Sequence, residues 1–225
     1  MTVSALLAAK NLGRQVEGGE WLIRHIDMEV HAGDRLAIVG PSGSGKTVLL
    51  RALALLDPVS EGTVLFDGQP VSGSAVPACR TRVAYLQQRA SMFEGTVEDN
   101  LRKPFGLAVH AGKQFDRTRI AGWLDGLGRG ADFLVKDQQN LSGGESQIAA
   151  LLRTMQLEPQ VLLLDEPTSA LDEASTTAVE TLLERWLAET PTGAIVWITH
   201  SSEQANRMCN RVLHMDGGQL SDGND

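Results

Sequence analysis

The sequence predicts an α/β fold around a buried parallel sheet, and two observations carry that expectation. Four short, continuously apolar runs rich in Val, Ile and Leu occupy residues 35–39, 82–86, 161–164 and 194–199. Runs without alternation suit strands covered on both faces. Helical patterns fall between them: 46–56 follows the first run directly, and 174–189 sets Val179, Leu182, Leu183, Trp186 and Leu187 on one face at spacings of three and four. Strands alternating with helices in this way imply an α/β core.

Two regions depart from the alternation. Residues 1–34 and 60–70 read as antiparallel strands joined by turns, with Glu61-Gly62 and Asp67-Gly68 as turn signals. Residues 89–155 read as mostly helical and polar, punctuated by Gly122, Gly126, Gly128 and Gly130. The expected organisation is a single domain over residues 1–225, with about 1–88 and 156–225 forming a core and about 89–155 inserted as a helical subdomain. Residues 217–225 read as a turn followed by a frayed tail.

Composition narrows the function classes. The chain is 42% hydrophobic and 21% charged, and no apolar run approaches the roughly 20 residues of a membrane-spanning helix. The first ten residues have no basic segment ahead of an apolar stretch, so a cytoplasmic chain is expected. Net charge is -8, from 20 basic against 28 acidic residues, with the basic ones scattered. That weighs against nucleic acid, whose phosphates are held by clustered Lys and Arg. It leaves nucleotide open, since a few backbone amides and one Lys suffice to hold it. Cys79 and Cys209 stand far apart with no Cys or His at metal-ligand spacing, and read as structural thiols.

Residues Gly40-Pro41-Ser42-Gly43-Ser44-Gly45-Lys46-Thr47 fit G-x-x-x-x-G-K-T between the apolar run LAIV and the helical pattern TVLLRALALL. That context separates a phosphate-binding loop from a glycine-rich turn with no ligand. The glycines let the backbone curl so that successive N–H groups point at phosphate oxygens, and the helix N-terminus adds its positive end. Lys46 would reach the β- and γ-phosphates, and the Thr47 hydroxyl would ligate Mg²⁺.

The run Val161-Leu162-Leu163-Leu164-Asp165-Glu166 ends in adjacent carboxylates. Alone, it reads better as a strand ending in solvated acids; the phosphate loop turns the reading toward chemistry. Neighbours in a strand point to opposite faces, so one carboxylate can face a metal and the next an attacking water. Asp165 is expected to hold Mg²⁺ through water, and Glu166 to polarise the nucleophilic water.

Leu141-Ser142-Gly143-Gly144-Glu145 matches the signature of ABC ATPases and lies twenty residues before the paired carboxylates. The pattern continues with Gln88 after RVAYLQ (the Q-loop), Ser169-Ala170-Leu171-Asp172 (the D-loop), and His200 after AIVWIT (the switch histidine). On these motifs, over roughly residues 5–220, the chain resembles the ATP-binding subunits of ABC transporters. The resemblance implies a P-loop NTPase (RecA-like) core with an N-terminal antiparallel β subdomain and an inserted α-helical subdomain. It implies ATP and Mg²⁺ as ligands. Residues Gly40 to Thr47, with Val48 and Arg14, would bind ATP. Thr47, Gln88 and Asp165 would bind the metal, and Glu166, His200, Lys46 and Gln88 would serve catalysis.

The signature carries a further implication. Ser142, Gly143 and Gly144 would open a helix whose amides bind the γ-phosphate of an ATP held by a second copy of the chain. Without the family, LSGGE would be an ordinary helix cap. His200 in isolation reads as structural or solvated; the resemblance makes it a γ-phosphate contact that orients Glu166 and the water. Gln87 and Gln88 are adjacent, and alignment on the strand favours Gln88.

The chain departs from the pattern in two places. Many members carry an aromatic residue that stacks on adenine where this chain has Leu12-Gly13-Arg14-Gln15-Val16. Arg14 could stack through its guanidinium plane, or Trp21 could take the role. Ile148 stands where an arginine is usual.

The segment from Ser91 to Asn100 resembles the post-Q-loop region of exporter ATPases and of the small group linked to iron export and metal tolerance. Members fused to membrane domains usually have an acidic, glycine-containing segment where this chain reads Val135-Lys136-Asp137-Gln138-Gln139-Asn140. The resemblance is thus to a stand-alone subunit of the iron-export type. It implies a separate transmembrane permease partner, a homodimer in the ATP-bound state, a place on the cytoplasmic face of the cell membrane, and no nucleic acid. The alternative is a soluble ABC ATPase such as an iron-sulfur cluster assembly factor. A third reading, a nucleotide-binding scaffold without turnover, is opposed by the presence of Lys46, Glu166 and His200.

Overall fold

The computed structural model describes residues 4–222. In chain order the elements are β1 (Leu7–Gln15), β2 (Trp21–Val30), β3 (Arg35–Val39), α1 (Lys46–Leu53), β4 (Glu61–Phe66), β5 (Gln69–Pro70), α2 (Val76–Arg82), β6 (Val83–Leu86) and α3 (Val97–Arg102). There follow α4 (Arg117–Gly126), α5 (Asp132–Val135), α6 (Gly143–Met155), β7 (Val161–Asp165), α7 (Glu173–Glu189), β8 (Ala194–Ile198), α8 (Ser202–Met208), β9 (Arg211–Asp216) and β10 (Gln219–Asp222). The chain divides into two compact units. One comprises residues up to Tyr85, Gln160–Glu166 and from Pro191 onward; the other comprises Leu86–Pro159 and Pro167–Thr190.

The first unit contains two sheets. Strands β2-β1-β4-β5 form an antiparallel sheet, and β10-β9-β3-β8-β7-β6 form a six-stranded one. In the latter β7, β8, β3 and β9 run parallel, while β10 turns back on β9. Every residue of β7 and β8 is buried, as their unbroken apolar sequence requires. The strand order places β8 between β7 and β3, so both of its edges are hydrogen-bonded. Leu36 and Ile38 of β3, Leu49, Leu50 and Leu53 of α1, and Leu7, Ile23 and Ile26 of the antiparallel sheet share one core.

Several boundaries differ from the sequence expectation, each for a local reason. Glu61-Gly62 opens β4 instead of making a turn; there the register of β1 against β4 shifts between Lys10 and Gly13. A side chain at Gly62 would stand 2.1 Å from the Asn11 carbonyl oxygen, so this crossing of strands needs glycine. Helix α1 stops at Leu53 because Leu55 takes a left-handed conformation (φ 57°), which returns the Leu55 and Leu56 amides to the Ala52 and Arg51 carbonyls. Arg82 ends α2 and does not begin the following strand. The turn at Gly217-Gly218 is present, yet Gln219–Asp222 pairs with β9 as a hairpin strand. The remainder of the expected tail, residues 223–225, lies outside the described residues.

The second unit is helical. Its α3 and α6 each begin with a reciprocal capping box, Thr96 with Asp99 and Ser142 with Glu145. Leu101, Trp123, Leu124, Phe133, Ile148, Leu152 and Met155 are buried. Ile148 is 1% exposed, so an unpaired arginine at this position would bury its charge. On α7 the expected face is buried at Val179, Leu182, Leu183 and Trp186, with Leu187 half-buried at its edge.

Core and surface substitutions should separate cleanly. Leu49→Ala, at a fully buried position, is expected to lower the unfolding free energy by about 2–5 kcal/mol in a urea titration. Leu107→Ala, at a position 57% exposed, should stay within about 0.5 kcal/mol of wild type.

Candidate functional site

In the first unit the parallel register sets Ile38, Ile198 and Asp165 level across β3, β8 and β7. The segments leaving the carboxyl ends of these strands carry Gly40 to Thr47, His200 and Glu166. This is where open α/β sheets place ligands.

The loop from Gly40 to Gly45 curls around its own lysine. Lys46 Nζ donates to the carbonyls of Gly40 and Pro41, both at 2.8 Å. The residue is 6% exposed, and burial pushes its pKa below the usual lysine value while Glu166 and Asp165 oppose that shift. Gly40 has φ 150°, and a Cβ there would stand 2.0 Å from the Met215 carbonyl oxygen; no other residue type fits. Gly45 enters α1 in the left-handed conformation and caps it without a side chain, which leaves the first amides of α1 without a capping side chain. Ser44 is buried within the loop.

Asp165 ends β7 with only 2% exposure, and burial raises its carboxyl pKa, opposed by the Thr47 and Tyr85 side chains. Tyr85 donates its hydroxyl to Oδ2 of Asp165 at 2.9 Å, whereas Oδ1 is buried without a hydrogen-bond partner. A buried carboxylate oxygen without a partner, beside the Thr47 hydroxyl, fits a hard divalent cation such as Mg²⁺, which takes oxygen ligands.

Glu166 adopts φ 47°, a strained conformation for a residue other than glycine, and its amide donates to the Ile198 carbonyl. Its Oε1 lies 2.8 Å from Nε2 of His200. A carboxylate only accepts, so this contact places a proton on Nε2. Thr199, just before the histidine, is held by the Thr199–Gln204 side-chain bond of 2.7 Å at the start of α8. A cleft of about 750 Å³ opens beside Gly40, Pro41, Thr199 and His200.

The candidate adenine contacts are engaged with other groups. The Arg14 guanidinium pairs with Asp57, and Arg51 binds the same carboxylate at 2.7 and 2.8 Å. Arg24 stacks on the ring of Trp21 at 4.6 Å. Val48 packs partly buried against the core.

The remaining predicted residues belong to the second unit. Ser142 caps α6: its Oγ accepts from the Glu145 amide at 3.1 Å, and Glu145 Oε2 accepts from the Ser142 amide at 3.0 Å. Lys136 donates to the other oxygen of Glu145 at 2.7 Å, and these bonds hold the carboxyl below the usual range. Leu141 leads into the cap, and Gly143 and Gly144 form the first turn. A Cβ on Gly144 would stand 2.8 Å from the Ala170 carbonyl oxygen, so the first turn of α6 and the D-loop lie in tight contact. Within that loop the Leu171 amide donates to Thr168, Ser169 lies between them, and Asp172 caps α7 through the Ser175 amide at 2.7 Å. Gln88 follows Gln87, whose carbonyl accepts from Gln147 of α6 at 3.2 Å.

Sequence reasoning passed over Tyr85, Arg51, Asp57 and Gln147. The signal available for Tyr85 was a lone phenol at the carboxyl end of an apolar run. No local pattern points to Asp57, which meets Arg51 of α1 and, from β1, Arg14.

Asp57 supplies a pH-dependent test. Hydrogen bonds from Arg51, then Arg14, hold its carboxyl down to about 2 against the cost of burial. Because the folded value lies below the ordinary one, the stabilisation is complete above about pH 5 and is lost as pH falls towards 2. Asp57→Asn is therefore expected to cost about 2 kcal/mol near pH 6 in urea unfolding, with the gap to wild type closing on acidification. A gap that does not change with pH would contradict this account.

Comparison with known proteins accords with the geometry. The family model described as ABC transporter matches residues 23–169. Protein STAR1 of Oryza sativa subsp. japonica is 38% identical over 95% of this chain, which spans 61% of that protein's length. The probable iron export ATP-binding protein FetA of Escherichia coli K12 is 36% identical over 90% of this chain and 88% of its own length. Among solved structures, the dimeric post-hydrolysis state of the ATP-binding cassette MJ0796 bound to ADP and Pi superposes with a TM-score of 0.84 at 23% identity, covering 96% of this chain and 98% of that one. With the family model matched over well over half its length and the phosphate loop, paired carboxylates and signature helix in place, the chain belongs to the ABC transporter family, as one of its ATP-binding, ATP-hydrolysing cassettes.

Proposed function

We propose that this cassette powers a membrane transporter by binding MgATP between two copies of itself and hydrolysing it, with a separate transmembrane permease as its partner. The observation that carries the reading is the Glu166–His200 contact of 2.8 Å in the unit that also holds Lys46 and Asp165. Among the described residues no helix is long and apolar enough to cross a membrane, which fits a partner that supplies the transport path.

In this reading Lys46 turns from its loop carbonyls to the β- and γ-phosphates, and the amides of residues 41–47 line the phosphate chain. Thr47 and Asp165 would hold Mg²⁺, with Gln88 as the further ligand that the resemblance implies. When bound, the ion neutralises charge developing on the transferred phosphoryl group. Glu166 accepts a proton from the attacking water. His200, already bonded to Glu166, orients that carboxylate and contacts the γ-phosphate. Ser142 to Gly144 of the second copy complete the site from the other side, with the D-loop, Ser169 to Asp172, alongside.

Export of iron or another metal is the finer reading. It rests on the likeness to FetA, a probable iron export ATP-binding protein. Relatives at comparable identity include the phosphate import protein PstB 2 of Natronomonas pharaonis, so cargo and direction are decided by the partner.

Glu166→Gln is expected to lower steady-state ATP hydrolysis by about 10²–10⁴-fold while a dimer accumulates with ATP, read by light scattering. A variant that stays monomeric at saturating MgATP would sink the shared-site mechanism. Lys46→Ala should instead weaken nucleotide binding itself, measured by calorimetry. Tagging the chain in its native cell and purifying from mild detergent tests the partner: a stoichiometric multi-span membrane protein is expected, and solely soluble companions would overturn the transport reading.

A further inference from the structure

Tyr85 is the chain's single tyrosine and stands near the carboxyl end of β6, in the same unit as β7. Its hydroxyl donates to Oδ2 of Asp165 at 2.9 Å, and Oδ1 of that carboxylate is buried without a partner. The final torsion of an aspartate side chain is broad and nearly two-fold. Left alone, the two oxygens would exchange places; one directed hydrogen bond removes that freedom.

The direction of that bond is set by chemistry. An ionised carboxylate has no proton to give, so the proton in this contact is the phenol's.

We propose that Tyr85 is a positioning residue for the metal-holding carboxylate: by occupying Oδ2 it leaves Oδ1 as the oxygen offered to the divalent cation or its water shell. The inference rests on the MgATP reading of the site given above. It assigns to the phenol the orienting work that hydrogen-bonded partners of metal-ligating carboxylates commonly perform.

Tyr85→Phe removes the hydroxyl and keeps the ring. In the full chain, Mn²⁺ binding in the presence of ADP, followed by electron paramagnetic resonance, is expected to weaken about tenfold. ADP binding in EDTA should stay within about twofold of wild type. In an Asp165→Asn background the same substitution should change Mn²⁺ affinity no further, because a residue acting through the carboxylate has lost its target. Unaltered protein carrying 3-fluorotyrosine gives a single fluorine resonance, expected to shift when Mg²⁺ is added to the ADP complex. That measurement stands even if a variant fails to fold. Unchanged Mn²⁺ affinity in Tyr85→Phe, an equal loss in both backgrounds, or a fluorine signal indifferent to the metal would overturn the proposal. Failure of wild type to bind Mn²⁺ with ADP would overturn the MgATP reading instead.

Discussion

The level row Ile38–Ile198–Asp165 across β3, β8 and β7 is the constraint on which the candidate site depends. These strands are buried along most or all of their length, and a one-residue slip of any strand would turn every side chain to the opposite face. The cost of such a slip is the loss of several buried aliphatic side chains, each contributing about 1.5–3 kcal/mol. Register is therefore fixed by apolar packing, and the segments that follow Val39, Asp165 and Ile198 leave the sheet at one level. Lys46, Glu166 and His200 belong to one unit for that reason, although they are far apart in sequence.

Burial then sets the electrostatics. Lys46 and Asp165 are both nearly inaccessible, and burial disfavours the charged form of each. Both keep partners: Lys46 bonds to its own loop carbonyls, and Asp165 to Tyr85. The Asp165 oxygen without a partner and the strained Glu166 backbone are costs that folding alone does not explain. Both lie where the proposed chemistry needs a metal ligand and an aimed carboxylate.

The second unit uses a different device. Its signature segment is held by a capping box and by Lys136 on Glu145, and the absence of a side chain at Gly144 admits the D-loop backbone. Along the same helix, Gln147 bonds to the Gln87 carbonyl and Arg153 to the Ser91 carbonyl at 2.8 Å. Helix α6 therefore ties together the signature, the D-loop and the backbone beside Gln88. In the proposed function these are the parts that face the second copy and the partner.

Much of this was legible in the sequence because it depends on local order. Unbroken apolar runs determined the buried strands 35–39, 161–165 and 194–198, to within a residue at their ends. The loop at Gly40 to Thr47 and the cap at Ser142 follow from neighbours a few positions apart, as do the helices they open. Helix and strand ends that turn on a single left-handed residue, such as Leu55, and the bulge opposite Gly62 left no readable trace. Nor did the pairing of Arg14 with Asp57 or the Tyr85–Asp165 bond, which join residues many positions apart. The sequence by itself determined which chemical groups the protein carries and which strand ends bear them, because periodicity and short motifs act over a few residues. Only the tertiary structure decided which oxygen of Asp165 is taken, which cation holds Asp57, and which carboxylate meets His200, because those choices depend on the register and packing of elements distant in the chain.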